Sequence, residues 1–132
     1  MMGSGPLPNS IAKYYILQLA DALEELHCHE IVHLDVKLEN CLISDSGNLM
    51  LADFGLSSAN NTSLKGRRGS SGYMAPEVEA GQAFNGADAD FFALGVIAFI
   101  MIIGRPPFVH SDFTDPHYRS LYAKNTEDFW IR

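Results

Sequence analysis

Apolar residues recur at three- and four-residue steps in the first part of the chain, which is the spacing of one helix face. The spacing predicts a helix that begins at Asn9 or Ser10, either of which can cap it, and continues to about His29. Its apolar positions are Ile11, Tyr14, Tyr15, Leu17, Leu19, Ala22, Leu23 and Leu26. The helix therefore has one face to bury against the rest of the protein.

Short strands are predicted after this helix. The stretch IVHL (31–34) is short and β-branched, and CLI (41–43) is a second strand candidate. Residues 44–47 have the composition of a turn, and NLMLA (48–52) follows as the returning strand. Two short hairpin-like pieces are therefore expected around residues 31–52.

The second half of the chain alternates between a long loop and helices. Residues 57–72 are rich in Ser, Asn, Thr, Gly, Lys and Arg, and a loop of this length favours a functional role. APEVEA (75–80) predicts a short helix, and 91–103 predicts an apolar helix that should be surrounded by protein. Gly104 ends that helix, two prolines prevent its return, and 117–124 predicts one more short helix.

Composition indicates a single packed domain. The chain has 132 residues, of which 47% are hydrophobic and 19% are charged, and its formal net charge is −7. The acidic balance argues against a nucleic-acid binder. The apolar run 91–103 has 13 residues, too few to span a bilayer, and the N-terminus lacks a signal-peptide pattern. We therefore expect a cytoplasmic protein that neither crosses a membrane nor binds nucleic acid.

The two cysteines, Cys28 and Cys41, flank apolar segments and form no C-x-x-C pair. They are predicted to be reduced thiols in or near the core. The triplet 27–29 (His-Cys-His) lacks a second cluster to complete four metal ligands, so no metal centre is predicted there. The glycosylation pattern at 60–63 has no meaning in a cytosolic protein.

The stretch HLDVKLEN (33–40) places an acid, a lysine and an amide at short fixed offsets. Phosphoryl transfer needs an oriented nucleophile, cations for the developing charge and a metal that holds the phosphates. Asp35 can accept the proton of a hydroxyl, Lys37 can reach a transferred phosphate, and Asn40 offers a neutral oxygen to Mg²⁺. The hairpin that follows would return a second carboxylate, Asp53, beside Asn40.

HLDVKLEN, DFG (53–55) and YMAPE (73–77) resemble the catalytic loop, the metal-binding triplet and the end of the activation segment of eukaryotic protein kinases. The run from Asp90 to Gly95 resembles the central helix of the large lobe, and GRPPF (104–108) resembles the segment after it. These motifs occur in family order and cover nearly the whole chain. The resemblance implies a mainly α fold with short β-hairpins, a protein-kinase-like C-terminal lobe truncated at both ends. Residues 1–132 would form one partial kinase domain, with the catalytic loop at 33–40, the metal-binding and activation segment at 53–77 and the central helix at about 88–103.

The resemblance also implies catalytic roles for matching residues. Asp35 would be the catalytic base and Lys37 would contact the γ-phosphate, and a lysine at this position resembles Ser/Thr kinases rather than tyrosine kinases. Asn40 and Asp53 would hold Mg²⁺. Ser70 stands where the family has a Thr that bridges the catalytic Asp and Lys, although it can also be an ordinary loop serine.

ATP and Mg²⁺ are the implied cofactors, and a protein with a Ser or Thr is the implied substrate. The residues expected to contact the nucleotide or its metal are Lys37, Glu39, Asn40, Leu42 and Asp53. Leu42, together with Ile97 and Met101, matches the apolar stack beneath adenine in the family. Phe54 would pack on His33, and Glu77 resembles the acid that pairs with a buried arginine.

One departure concerns the activation segment. The family usually has arginine between this His and Asp, where it pairs with a phosphorylated residue. Leu34 cannot bind phosphate, and the common phosphate position, four residues before Ser70, is Gly66. We therefore expect ordering of this segment not to depend on phosphorylation at the usual site; Thr62 and Ser63 remain nearby candidates for another modification. The basic residues at 65, 67 and 68 are either a solvated patch or a contact for an acidic substrate or a phosphate.

A second departure is the absence of small-lobe motifs. No glycine-rich loop and no V-A-I-K-like lysine are present, and Lys13 lies within the first large-lobe helix. Leu42 and Phe54 should therefore face water, Glu77 should lack its cation, and these residues alone should bind ATP weakly and turn over negligibly. The sequence fits either part of a Ser/Thr protein kinase or a kinase-like lobe that acts as a binding or scaffold module.

Overall fold

The computed structural model describes residues 5–59, 63–124 and 126–131. In chain order it contains α1 (Asn9–Cys28), a 3₁₀ turn (Leu38–Asn40), β1 (Cys41–Ile43), β2 (Leu49–Leu51), α2 (Pro76–Glu79), α3 (Gly86–Ile103), α4 (Pro116–Tyr122) and α5 (Thr126–Ile131). The expected mainly α fold with short β structure is confirmed. Most of the glycosylation pattern at 60–63, including Thr62, lies outside the described residues.

Helix α1 has the predicted extent, but its cap differs from the prediction. The amides of Ile11 and Ala12 both donate to the carbonyl of Pro8, at 2.9 Å each. Asn9 and Ser10 therefore already belong to the first turn, and neither side chain caps the helix.

The described residues form one hairpin rather than two hairpin-like pieces. β1 and β2 pair antiparallel, with Leu42 opposite Met50, as predicted for CLI and NLMLA. IVHL is not a strand: Val32 makes an isolated bridge with Ser58, and the next two amides donate to a carboxylate of α3. Since those amides are already bonded, they are not available to a strand partner.

Helix α3 begins five residues before the predicted apolar helix. The side chain of Asn85 accepts from the amide of Asp88 at 3.1 Å and caps the helix, and Gly104, with φ 84°, ends it. Its 18 residues have a mean hydropathy of 2.0, so by length and composition alone it could cross a membrane, although core helices of soluble proteins often pass the same test. The prediction that this helix is surrounded by protein holds only in part: within the described part of the chain, the side chains of Phe91 and Ile102 are about half exposed.

Two apolar clusters lie on either side of the catalytic loop (33–40). The first joins α1, α3 and the core face of the hairpin; its fully buried members include Leu19, Leu23 and Ile97. The second joins Leu34 to residues after the long loop and to the chain before α3; its buried members are Val32, Leu34, Met74, Ala75, Val78 and Phe84. The catalytic loop is therefore held between two packed regions.

The later helices differ from the prediction in extent. The predicted helix at 117–124 is α4, which begins at Pro116 because both carboxylate oxygens of Asp115 accept backbone amides around it. Those four amides outweigh burial and lower the pKa of Asp115. Helix α5 was not predicted, and it contributes the buried ring of Phe129.

Candidate active site

One carboxylate on α3 accepts hydrogen bonds from the backbone at the start of the catalytic loop and fixes its position. Asp90 is 1% exposed and accepts from the amides of His33 and Leu34, at 2.8 Å each. The ring nitrogen Nε2 of His27, near the end of α1, donates to the same carboxylate at 2.9 Å. Leu34 has φ 67°, a strained value for a branched residue, and these bonds hold it there. Asp90 therefore positions the backbone that precedes Asp35.

His33 links the catalytic loop to the segment after β2. Its ring is completely buried, and Nε2 donates to the carbonyl of Ala52 at 2.9 Å. Nδ1 accepts from the amide of Asp35 at 3.2 Å. The ring of Phe54 packs on it edge to face at 5.0 Å, as expected from the sequence. His33 thus sets the relative position of Asp35 and the DFG segment.

Asp35, Lys37 and Ser70 form a closed polar triangle. The hydroxyl of Ser70 donates to Oδ1 of Asp35 at 2.8 Å, and Nζ of Lys37 donates to the Ser70 hydroxyl at 2.9 Å. Nζ of Lys37 also lies 3.4 Å from Oδ2 of Asp35. All three side chains are partly buried, so their charges are less screened than on an open surface. A hydroxyl that replaced the Ser70 contact would face a carboxylate acceptor and an ammonium group.

Asn40 is hydrogen-bonded to Asp35 of this triangle, and Asp53 directly follows Ala52, the backbone partner of Asn40. Nδ2 of Asn40 donates to the carbonyl of Asp35 at 2.8 Å, and the Asn40 carbonyl accepts from the amide of Ala52 at 2.8 Å. The exposed side chain of Asp53 accepts from the amide of Gly55 at 3.2 Å. The arrangement brings Asp53 back toward Asn40, as the hairpin predicted. An amide oxygen and a carboxylate are a donor set that fits Mg²⁺.

The expected adenine-side residues divide into buried and open positions. Ile97 and Met101 are in the core, whereas Leu42 is 48% exposed and Phe54 is 46% exposed. Met50, opposite Leu42 in the hairpin, is equally exposed and was not predicted as part of this surface. Its position follows from strand alternation once the register is known. The exposure expected for Leu42 and Phe54 is confirmed.

Glu39 is exposed next to this surface and affects a neighbouring tyrosine. Burial, followed by the negative charge of Glu39, raises the pKa of Tyr73. Burial and Glu39 likewise raise the pKa of the Cys41 thiol to about 11. Glu39 therefore adds negative charge to the rim of the site.

The end of the activation segment contains a contact that the sequence did not indicate. Nη2 of Arg67 donates to Oε1 of Glu79 at 2.8 Å, so Arg67 is not simply part of a solvated basic patch. Lys65 and Arg68 are exposed, as a solvated patch would be. Glu77, the acid expected to lack its cation, is partly buried and forms no ion pair with the residues that the structure describes.

The contacts of Asp90 and Glu79 were not predicted from the sequence. The sequence singled out Asp90 only as part of a motif; its signal is a lone carboxylate inside an apolar helix, which must be paired when buried. Glu79 has no comparable signal, because the burial of one side chain in a four-residue helix depends on neighbours from distant segments.

The chain matches the model of the protein kinase domain over residues 2–129. It is 40% identical over 122 residues to CBL-interacting serine/threonine-protein kinase 24 of Arabidopsis thaliana, covering 90% of this chain and 27% of that protein. It is 42% identical over 136 residues to the carbon catabolite-derepressing protein kinase of Candida albicans, covering 92% of this chain and 22% of that protein. A third relative, sucrose non-fermenting protein kinase 1 of Fusarium virguliforme, is 38% identical over 122 residues, covering 91% of this chain and 17% of that protein.

The chain thus spans less than a third of the length of each of these relatives. The matched residues nevertheless include the catalytic loop, the DFG triplet, the activation segment and α3. Together with the Asp35–Lys37–Ser70 geometry, the match means that this chain belongs to the protein kinase family.

Proposed function

We propose that this chain supplies the catalytic loop and substrate side of a serine/threonine protein kinase, which transfers the γ-phosphate of ATP to a Ser or Thr hydroxyl of a protein. The observation that carries the proposal is the triangle of Asp35, Lys37 and Ser70, with contacts of 2.8, 2.9 and 3.4 Å. The names of the relatives support the Ser/Thr class.

Asp35 has the role of orienting the substrate hydroxyl and accepting its proton. Its oxygen Oδ1 already accepts from one hydroxyl, that of Ser70, at 2.8 Å. A general base must lie within hydrogen-bond reach of the proton that it takes, and this contact is a measure of that reach. Ser70 therefore lines the position of the substrate hydroxyl and keeps Asp35 in its rotamer.

Lys37 places a positive charge beside the reacting oxygen. Its ammonium group is within 3.4 Å of Asp35 and within 2.9 Å of Ser70, and it is about one-quarter exposed. Stabilisation of negative charge that develops on a transferred phosphoryl group is the main task of such cations.

Mg-ATP supplies the phosphoryl group and the metal charge when it is bound. Asn40 and Asp53 are the residues that would hold Mg²⁺, through an amide oxygen and a carboxylate. Glu39 and Leu42 would lie against the nucleotide, Leu42 with its exposed apolar side chain. The small lobe or other kinase-domain segments, as proposed partners, would cover Leu42 and Phe54 and exclude water from the site.

We place the activity in the cytoplasm. Both cysteines are free, as expected of a protein in a reducing compartment; Cys41 is in the core as predicted, whereas Cys28 is exposed and the prediction that it lies in or near the core was wrong.

A second candidate is a kinase-like lobe that binds a protein partner without catalysis. The observation in its favour is the open nucleotide face, where Asp53, Phe54 and Leu42 are all exposed. Such a face gives little enclosure for a nucleotide, since small-molecule sites usually bury most of their ligand.

The full-length product of the gene separates the two candidates. Its phosphorylation of Ser/Thr peptides with Mg-ATP is expected, and Asp35→Asn is expected to lower kcat by about 10²- to 10⁴-fold, the usual contribution of a general base. Asp45→Asn, in the exposed hairpin turn, is the matched control and should retain full activity. Absence of phosphoryl transfer from the full-length protein, with retained binding to a protein partner, would support the second candidate instead.

The isolated 132-residue chain has its own expected outcome. Because its nucleotide face is open, titration with Mg-ATP should detect weak binding or none, and turnover should be negligible. A micromolar affinity of the purified chain for Mg-ATP would contradict this expectation.

A further inference from the structure

Three segments meet at the side chain of Glu79. Oε1 of Glu79, on α2, accepts from Nη2 of Arg67 in the activation segment at 2.8 Å. The same oxygen lies 3.6 Å from Nδ1 of His110, which follows α3. His110 also reaches the activation segment directly, because its Nδ1 is 3.2 Å from the hydroxyl of Ser71. We call these side chains the Glu79 cluster; its members are Arg67, Ser71, Glu79 and His110.

The burial of Glu79 makes this cluster different from an ordinary surface ion pair. The Glu79 side chain is 8% exposed, whereas that of Arg67 is 52% exposed. The second carboxylate oxygen, Oε2, is buried and has no hydrogen-bond partner among the described residues. A carboxylate in this position depends on the cation beside it, because removal of the cation would leave a buried charge uncompensated.

Arg67 is separated from Ser70 by only two residues, and the chain between them is tightly seated. Gly69 has φ 100°, and a Cβ added there would come within 2.9 Å of the carbonyl oxygen of Leu34. The activation segment is thus pressed against the catalytic loop at Gly69 and tethered at Arg67. Ser70 directly follows Gly69, and it is the residue that contacts Asp35 and Lys37.

Leu34 occupies the place from which the family's phosphate-binding arginine would act. Its side chain is 7% exposed and belongs to the apolar cluster with Met74, Ala75 and Val78. It therefore packs on the end of the activation segment and has no group that could bind a phosphate. The segment carries a cation, Arg67, directly after Gly66, and the acid that receives it lies on α2.

We propose that the Glu79 cluster orders the activation segment without phosphorylation and thereby positions Ser70 against Asp35 and Lys37. Arg67 and Glu79 are positioning residues in this proposal, and Leu34 adds an apolar contact. The consequence for catalysis rests on the proposed kinase function, whereas the ordering itself does not.

Hydrogen exchange of the 132-residue chain, followed by mass spectrometry without nucleotide, tests the ordering. Intact mass first establishes that the chain carries no phosphate. The amides of Leu64 and Tyr73, which donate to Phe84 and Ser70, report on the segment. They should be protected in the unmodified wild type and exchange about tenfold faster in Arg67→Ala and in Glu79→Gln, a factor that corresponds to one ordinary interaction. The double variant should exchange no faster than either single variant, because both changes break the same contact.

Three further measurements separate loss of the Arg67–Glu79 contact from general destabilisation. Lys65→Ala removes the same charge from the same segment at an exposed position and should leave the exchange of Tyr73 unchanged. Arg67→Lys should recover part of the protection. The amides of β2 should exchange at the wild-type rate in every variant, since the hairpin lies outside the cluster.

Unprotected amides in the unmodified wild type would overturn the proposal, as would unchanged exchange in Arg67→Ala or additive effects of the two changes. These results would leave the proposed phosphoryl transfer untouched. Conversely, a full-length protein without kinase activity would leave the exchange result standing, so the two failures are distinguishable.

Discussion

The catalytic loop and the nucleotide face adjoin each other but are built differently. His33 is fully buried, Asn40 is 7% exposed, and the backbone between them is bonded to Asp90 from below. Across the hairpin, Leu42 and Met50 are each 48% exposed, and the side chain of Asp53 is exposed as well. One side of the site is therefore set by contacts within the chain, whereas the other is an open surface.

This difference in packing indicates which part of the proposed site is preorganised by contacts within the chain. The Ser70 hydroxyl already donates to Asp35 at 2.8 Å, so the carboxylate proposed to orient a substrate hydroxyl is held in place within the chain. Enclosure of a nucleotide needs apolar cover over Leu42 and Phe54, which the described residues do not provide. Under the proposed kinase function, the lobe would preorganise acceptance of the substrate proton more completely than it preorganises the phosphoryl donor.

Removal of the Asp90 carboxylate should give the largest effect on the built-in side. In Asp90→Ala two buried backbone amides and the ring of His27 lose their acceptor, so the free energy of unfolding should fall by about 3–5 kcal/mol. Urea unfolding followed by circular dichroism measures it. Asp88→Asn, exposed on the same helix, should change stability by less than about 1 kcal/mol. Equal losses in the two variants would mean that Asp90 does not hold the catalytic loop.

Truncation of one residue on each side tests the comparison directly. Ile97→Ala opens a cavity at a fully buried position and should lower the free energy of unfolding by about 2–5 kcal/mol. Leu42→Ala removes a similar volume from the open face and should stay within about 0.5 kcal/mol of the wild type. The same urea titration serves both variants. A large loss in Leu42→Ala would show that the nucleotide face is covered in solution.

Two glycines of α3 should respond with opposite signs. A Cβ at Gly86 would come within 2.7 Å of Val32, directly before the catalytic loop, so Gly86→Ala should lower stability by about 1–3 kcal/mol. At Gly95 a Cβ meets nothing within 4 Å, and Gly95→Ala should raise stability by up to about 1 kcal/mol through helix propensity. Thermal unfolding measures both. A stabilising Gly86→Ala would indicate that the contact with Val32 is loose.

Periodicity predicted the elements whose signals are local. The apolar spacing of α1, the CLI–turn–NLMLA hairpin and the short helix α2 all follow from nearby residues. The stretch IVHL failed as a strand because the amides of His33 and Leu34 are taken by Asp90, more than 50 residues away. The early start of α3 depends on the Asn85 cap, a single-residue signal outside the apolar run.

The residues of the candidate site also divide into those with a local sequence signal and those that depend on long-range contacts. The proposed roles of Asp35, Lys37, Asn40 and Asp53 could be predicted from residue types, spacing and the resemblance to protein kinases, because phosphoryl transfer needs such a set of groups. The carboxylate of Glu79 could not be recognised, since its partners come from two other segments and only the folded chain brings them together. The exposure of Met50 required the strand register in addition to the strand itself.

The last contrast is chemical and compares the two cysteines. Cys41 is on the core side of β1, directly before Leu42 on the open side, and burial together with Glu39 raises the pKa of its thiol to about 11. Alkylation requires the thiolate, so at pH 8 iodoacetamide should modify exposed Cys28 at least about 100-fold faster than Cys41. Because the folded pKa lies above the ordinary value of 9.0, this thiol stabilises the fold fully below pH 9, and the contribution is lost as the pH rises toward 11. Intact-mass analysis over time should show one adduct in the native chain and two in denaturant. Rapid double labelling of the native chain would mean that the hairpin opens readily, and the contrast between the two sides of the site would then be weaker than the packing indicates.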